Sequence, residues 1–151
     1  SIKELPKQHL VVIGNVTDYK KKCIQYISKY NLQDRVIFLS ELELEEIAAV
    51  YQKAEMMIYP SVFEGFGIPI LEALFSKTPV ITSEGGCFSE TGGEHSIYIN
   101  PLSVEDLTTS ITKIKSDPNL RNTMVEEGYN YAQNFTDEKV AKNLINIYKN
   151  L

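Results

Sequence analysis

Cysteine is nearly absent from this chain: Cys23 and Cys87 stand far apart, and neither belongs to a CxxC pattern. That argues against a disulfide framework or a thiolate zinc site and fits a reducing compartment, the cytoplasm. Histidine is equally scarce, and His9 and His95 have no partner at metal-ligand spacing. No apolar run approaches the roughly 20 residues that span a bilayer, and no signal peptide is visible. Basic residues never cluster beyond Lys20–Lys22, and the net charge is −5. That balance argues against nucleic acid or an anionic membrane as the main partner. The first residue is not Met, so a piece of a longer polypeptide is expected.

What is present suits a globular protein. The chain has 151 residues, of which 43% are hydrophobic and 23% charged, enough for one compact core. Short β-branched runs alternate with helical patterns. "HLVVIG", "RVIFLS", "MMIYPS", "PVITS" and "SIYIN" read as five strands. Between the first two, Cys23, Ile24, Ile27 and Tyr30 recur at helical spacing; between the next two, Leu44, Ile47, Ala48 and Tyr51 do. "GIPILEALFSK" predicts a short helix with Pro69 in its first turn, where a missing N–H does no harm. "EGGCFSETGGEH" reads as a loop. Ser103, Asp117 or Pro118, and Thr136 open three further helices. Strands that are continuously apolar imply a parallel sheet covered on both faces. The expected fold is therefore α/β: an open doubly wound parallel sheet with helices on both faces, one domain over residues 1–151. Ligands in such sheets sit where strand ends lead into helix N-termini. The loops after Gly14, Tyr59 and Ser83 are the candidates.

The loop after Tyr59 is the most informative, in "PSVFEGFGIPILEALF" from Pro60 to Phe75. It holds Glu64 and Glu72, eight positions apart, with no Lys or Arg between them. Gly65 and Gly67 permit a tight turn and close approach of a ligand. The amides of Phe66, Gly67 and Ile68 would face out of a helix N-terminus, which favours phosphate. A plain glycine turn accounts for the same residues. Glu72 lies among Ile70, Leu71, Ala73, Leu74 and Phe75, and a buried, unpaired carboxylate costs several kcal/mol. A solvated helix face would relieve it; so would a ligand with vicinal hydroxyls, such as a ribose, accepted in bidentate fashion. Glu64 stands at the strand end, either beside a reacting substrate or simply against the dipole of the next helix.

This stretch resembles the signature of retaining glycosyltransferases of the GT-B fold, family 4, called glycosyl transferases group 1: P-S-x-x-E-G-F-G-x-P-x-x-E-A. "VIFLSELELEEIAAVYQKAEMMIYPS" and "KTPVITSEGGCFSETGGEHSIYINPLSVEDLTTSI" resemble two further family segments, and "FTDEKVAKNLINIY" stands in the place of the closing helix. The resemblance implies a C-terminal Rossmann-like half that binds a nucleotide-diphosphate sugar. Glu72 would grip the ribose, and Glu64 would lie by the transferred sugar as the catalytic carboxylate. The backbone of Gly65, Phe66, Gly67 and Ile68 would contact the sugar and diphosphate. Leu39 and Leu42 would border the base, and Gly85 and Gly86, with Cys87 and Glu90, would close around the donor. Ser40, Glu55, Ser89 and Asp137 depart from the usual Gly, Asp, Pro and aromatic.

The family's first strand and helix, with a G-R…K-G pair that neutralises the leaving diphosphate, have no counterpart before Gly14; nor does its N-terminal domain. The implied reaction moves a sugar to a glycan or lipid-linked acceptor hydroxyl with retention, and this portion alone is expected to be inactive. No cofactor or metal is implied, in keeping with the lack of a DxD motif. The resemblance implies a place in polysaccharide biosynthesis. It also admits peripheral association of the whole enzyme with the inner face of the membrane. An exposed sheet edge would favour self-association. A non-catalytic nucleotide-binding or interaction module on the same scaffold is the alternative, and a sugar-nucleotide epimerase of similar fold a third, against which "EGFGIP" and Glu64 argue.

Overall fold

A computed structural model describes Leu5, residues 8–15 and residues 17–150. The chain divides into two compact units, one ending at Ile47 and the other starting at Ala48.

In the first unit, β1 (Leu10–Ile13) pairs in parallel with β2 (Val36–Leu39), Leu10 opposite Val36 and Ile13 opposite Leu39. Helix α1 (Asp18–Lys29) connects them, followed by a 3-10 turn at Gln33–Arg35. The Arg35 guanidinium donates to the carbonyl oxygens of Gln8 (2.9 Å) and Leu5, which ties the entry to β1 onto the start of β2. Both strands were expected to be covered on both faces. Instead burial alternates along β1, and Val11, Ile13 and Ile37 are 40%, 38% and 47% exposed. On α1 the expected apolar stripe is incomplete, since Ile24 is exposed while Cys23 and Ile27 are half-buried.

The second unit holds the better-covered sheet, ordered β3 (Met57–Tyr59), β4 (Val80–Ser83), β5 (Ile97–Ile99), all parallel. Helix α2 (Leu44–Lys53) leads into β3, α3 (Ile68–Phe75) joins β3 to β4, and α4 (Phe88–Gly92) joins β4 to β5. Every residue of β4 is buried, as a central parallel strand requires. Ile70, Leu71, Ala73 and Leu74 of α3 form the core with Val80, Phe88 and Ala132. Full burial of one such Leu or Ile contributes about 1.5–3 kcal/mol.

Three helices close the chain: α5 (Val104–Ser116), α6 (Pro118–Ala132) and α7 (Asp137–Lys149). The Ser103 hydroxyl accepts from the Asp106 N–H at 3.1 Å and the Asp117 carboxylate from the Leu120 N–H at 2.9 Å, as expected of N-caps. Thr136 occupies the N-cap position of α7 without capping it: its hydroxyl turns back to the Gln133 carbonyl. The expected loop at 84–95 contains α4, a single helical turn anchored by buried Phe88 and Thr91.

Helix α3 ends in a Schellman motif, with the Thr78 N–H bonded to Ala73 O at 2.9 Å and the Lys77 N–H to Leu74 O at 3.0 Å. The left-handed residue there is Lys77, at φ +58°, not glycine. Lys77→Gly is expected to raise stability by about 0.5–1 kcal/mol, since it removes the Cβ penalty. Its ion pair with Glu126, at 3.8 Å on an exposed face, is worth little by comparison. Thermal unfolding against Lys77→Ala, which loses the same ion pair but keeps the Cβ, checks this: no gain over alanine refutes it.

Candidate active site

The site residues of the second unit gather where β3 and β4 end. Tyr59 is the last residue of β3, and Pro60 stops the strand. The chain then turns through Gly65 and Gly67 into α3. Gly67 is the N-cap at φ +95°, and Pro69 follows in the first turn. A Cβ on Gly67 would lie 3.2 Å from Ile70 Cδ1, so shape and backbone angle both call for glycine. Among the described residues, the N–H groups of Gly65, Phe66, Gly67 and Ile68 bond to no acceptor. Those of Gly67 and Ile68 are unsatisfied donors of the α3 N-terminus, and those of Gly65 and Phe66 belong to the turn just before it.

Glu64 is half-exposed and tightly held. The Tyr59 hydroxyl donates to its Oε1 at 2.6 Å and the Ser61 hydroxyl to the same oxygen at 2.9 Å. These two bonds, Tyr59's first, hold the carboxyl below the usual carboxylate range. Burial, then the bond to Glu64, pushes the Tyr59 phenol up to about 12, so it stays a donor at neutral pH.

Glu72 projects from α3, half-buried, with one partner among the described residues, the Tyr51 hydroxyl at 3.4 Å. That distance is long for an O–H···O bond. Among the described residues no Lys or Arg pairs with it. Lys77, the nearest base in sequence, goes instead to Glu126 and lies 4.9 Å over the Tyr129 ring. Glu72 therefore belongs neither to an internal ion pair nor to a well-bonded network.

The β4–α4 segment buttresses this loop. Thr82 Oγ1 donates to Tyr59 O at 3.0 Å, Ser83 Oγ to Ser61 O at 2.5 Å, Cys87 Sγ to Glu64 O at 3.5 Å, and Thr91 Oγ1 to Phe66 O. Gly85 and Gly86, both left-handed at φ +82° and +55°, are exposed in the turn before α4, and Cys87 after them reaches the Glu64 backbone. Glu90 is exposed on α4, its carbonyl accepting from the Tyr131 hydroxyl. Leu39 ends β2, its carbonyl bonded to the Gly14 N–H at 3.1 Å, and Leu42 is half-buried ahead of α2; both lie in the first unit.

Sequence reasoning missed Tyr51, Tyr59, Ser61 and Thr91. For Tyr59 and Ser61 a signal existed: residues i and i+2 of an extended chain share a face, so two hydroxyls line one side just ahead of Glu64. Tyr51 and Thr91 are contacts across the fold with no local signature.

Parallel strands whose ends lead through loops into flanking helices define an α/β domain of the doubly wound class. The chain belongs to the glycosyl transferases group 1 family, whose model matches residues 1–131. It is 36% identical over 110 residues to the O-antigen chain mannosyltransferase RfbU of Salmonella typhimurium, covering 73% of this chain and 31% of that protein. The sucrose-phosphate synthase of Thermosynechococcus elongatus superposes with a TM-score of 0.87 at 26% identity, over 99% of this chain and 40% of that one. The C-terminal domain of the group 1 glycosyl transferase LpcC from Francisella tularensis superposes with a TM-score of 0.77 at 28% identity, over 89% of this chain and 72% of that one. The chain spans about a third of the length of the curated relatives it matches first. No helix among the described residues is long and apolar enough to cross a membrane.

Proposed function

We propose that this chain is the donor-binding part of a retaining glycosyltransferase that moves a sugar from a nucleotide-diphosphate sugar to a glycan or lipid-linked hydroxyl. The observation that carries the reading is Glu72: a half-buried carboxylate that no lysine or arginine pairs with among the described residues, held only by the long Tyr51 contact. It stands on the helix entered through the Gly65–Ile68 amides, which have no acceptor among those residues. A carboxylate in that state accepts from a vicinal diol, and the amides at the start of α3 suit the diphosphate. Ribose and diphosphate are joined in one ligand, which both features would bind together.

Glu64, at the strand end, would lie by the transferred sugar. Departure of the diphosphate leaves oxocarbenium character on the sugar, and an ionised carboxylate stabilises it. Negative charge grows on the leaving group, which the Gly65–Ile68 amides face. No cofactor beyond the donor enters this scheme. Acceptor alignment falls to chain outside these residues. The relative RfbU is named an O-antigen chain mannosyltransferase, which supports a role in polysaccharide synthesis and makes a mannose nucleotide the first donor to try.

Calorimetric titration of the full-length protein with UDP-glucose, GDP-mannose and ADP-glucose tests the site. Glu72→Ala is expected to weaken binding of the preferred donor roughly 10- to 100-fold, the loss of about 1.5–3 kcal/mol in charge-assisted bonds. Equal affinity of the two proteins would exclude the ribose role.

A further inference from the structure

We propose that Tyr59 and Ser61 are positioning residues for Glu64: together they occupy one carboxylate oxygen and leave the other turned to the ligand. This rests on the donor site proposed above. Both hydroxyls converge on Oε1, at 2.6 and 2.9 Å, and Oε2 has no partner among the described residues. Two donors on one oxygen restrain rotation of the carboxylate about its last torsion more than either does alone.

The donors are themselves fixed. The Tyr59 ring packs against the core, so its oxygen moves only with the strand. The backbone of Tyr59 and Ser61 is bonded to Thr82 and Ser83, which are 0% and 1% exposed. Tyr59 is only half-buried, so water could have satisfied its hydroxyl. Its aim at a reactive carboxylate, on the oxygen that Ser61 also uses, is what a purely structural tyrosine would not require. The titratable groups facing the Tyr59–Glu64 pair are Tyr51 on α2 and Cys87 on the turn before α4. Among the described residues no lysine or arginine pairs with it.

The test uses the full-length protein with Tyr59→Phe, Ser61→Ala and Glu64→Gln, alone and combined. Titration of glutamates labelled with 13C at the carboxyl carbon reads the ionisation of Glu64 directly, assigned by its loss in Glu64→Gln. Tyr59→Phe and Ser61→Ala are each expected to move it up toward the ordinary range and to shift the acid limb of turnover the same way. With the preferred donor among UDP-glucose, GDP-mannose and ADP-glucose, Tyr59→Phe is expected to lower kcat about tenfold with KM within twofold, and to change nothing further in Glu64→Gln. An unmoved Glu64 titration in both variants, or an equal Tyr59→Phe loss in the Glu64→Gln background, overturns the proposal. Full activity of Glu64→Gln overturns the catalytic reading instead, and the carbon-13 titration then still decides the positioning.

Discussion

Gly93→Ala is expected to lose about 3–5 kcal/mol of folding stability, a large share of the 5–15 kcal/mol typical of a domain. Gly93 follows α4 with φ +66° and ψ −171°, a region essentially reserved for glycine, where any side chain costs about 1–3 kcal/mol. A Cβ there would also sit 2.7–3.0 Å from three ring carbons of Tyr131. That ring cannot swing aside cheaply, because its hydroxyl bonds Glu90 O and its face meets Phe135 at 5.5 Å. Overpacking of this kind costs roughly 1–3 kcal/mol more. Gly85 supplies the comparison: it too is left-handed, at φ +82°, but nothing lies within 4 Å of its Cβ position. Gly85→Ala should lose only the conformational part, about 1 kcal/mol. Urea unfolding of both variants separates the contributions. Equal midpoints would mean that the Tyr131 contact does not matter.

Glu64→Gln is expected to lower kcat by about 10²–10³, the range seen when one preorganised electrostatic group is removed from a transition state. Glutamine keeps an acceptor for Tyr59 and Ser61, so the loop should hold its shape; what disappears is the charge. Because the carboxyl lies below the usual range, it is ionised throughout neutral and mildly acidic pH. Turnover should therefore hold as pH falls until the depressed folded value is reached. The matching stability contribution has the same sign: present above the unfolded value, lost as pH falls through the folded one. Steady-state kinetics across pH with the donor saturating, beside calorimetric donor affinity, check both halves. A kcat within threefold of the parent would remove Glu64 from the chemistry.

Both carboxylates and the glycine turn between them were legible in the sequence, because motif, apolar context and the missing counter-charge all lie within one short stretch. So were the caps at Ser103 and Asp117, where the partner N–H is three residues on. What escaped depends on distance along the chain or on packing. Helix α4 lies among glycines that locally signal a loop, and the burial of Phe88 and Thr91 anchors it. Thr136 has the right chemistry for a cap, yet its hydroxyl is turned back toward the Gln133 carbonyl, 3.5 Å away, and accepts from no N–H of α7. Lys77 in a glycine conformation has no local signal, since the Schellman bonds of Lys77 and Thr78 impose it. The Tyr51 contact to Glu72 joins residues 21 positions apart, beyond the reach of any periodicity.

The four side-chain bonds from Thr82, Ser83, Cys87 and Thr91 to the carbonyls of residues 59, 61, 64 and 66 change what this loop costs to use. A surface loop ordinarily surrenders chain entropy when it wraps a ligand; this one has surrendered it already, during folding. Its opening is tied to that of β4, so it belongs to the cooperative unit of the sheet rather than to the fluctuating periphery. An arriving ligand would meet a backbone already cast, and little chain entropy would be left for this loop to lose.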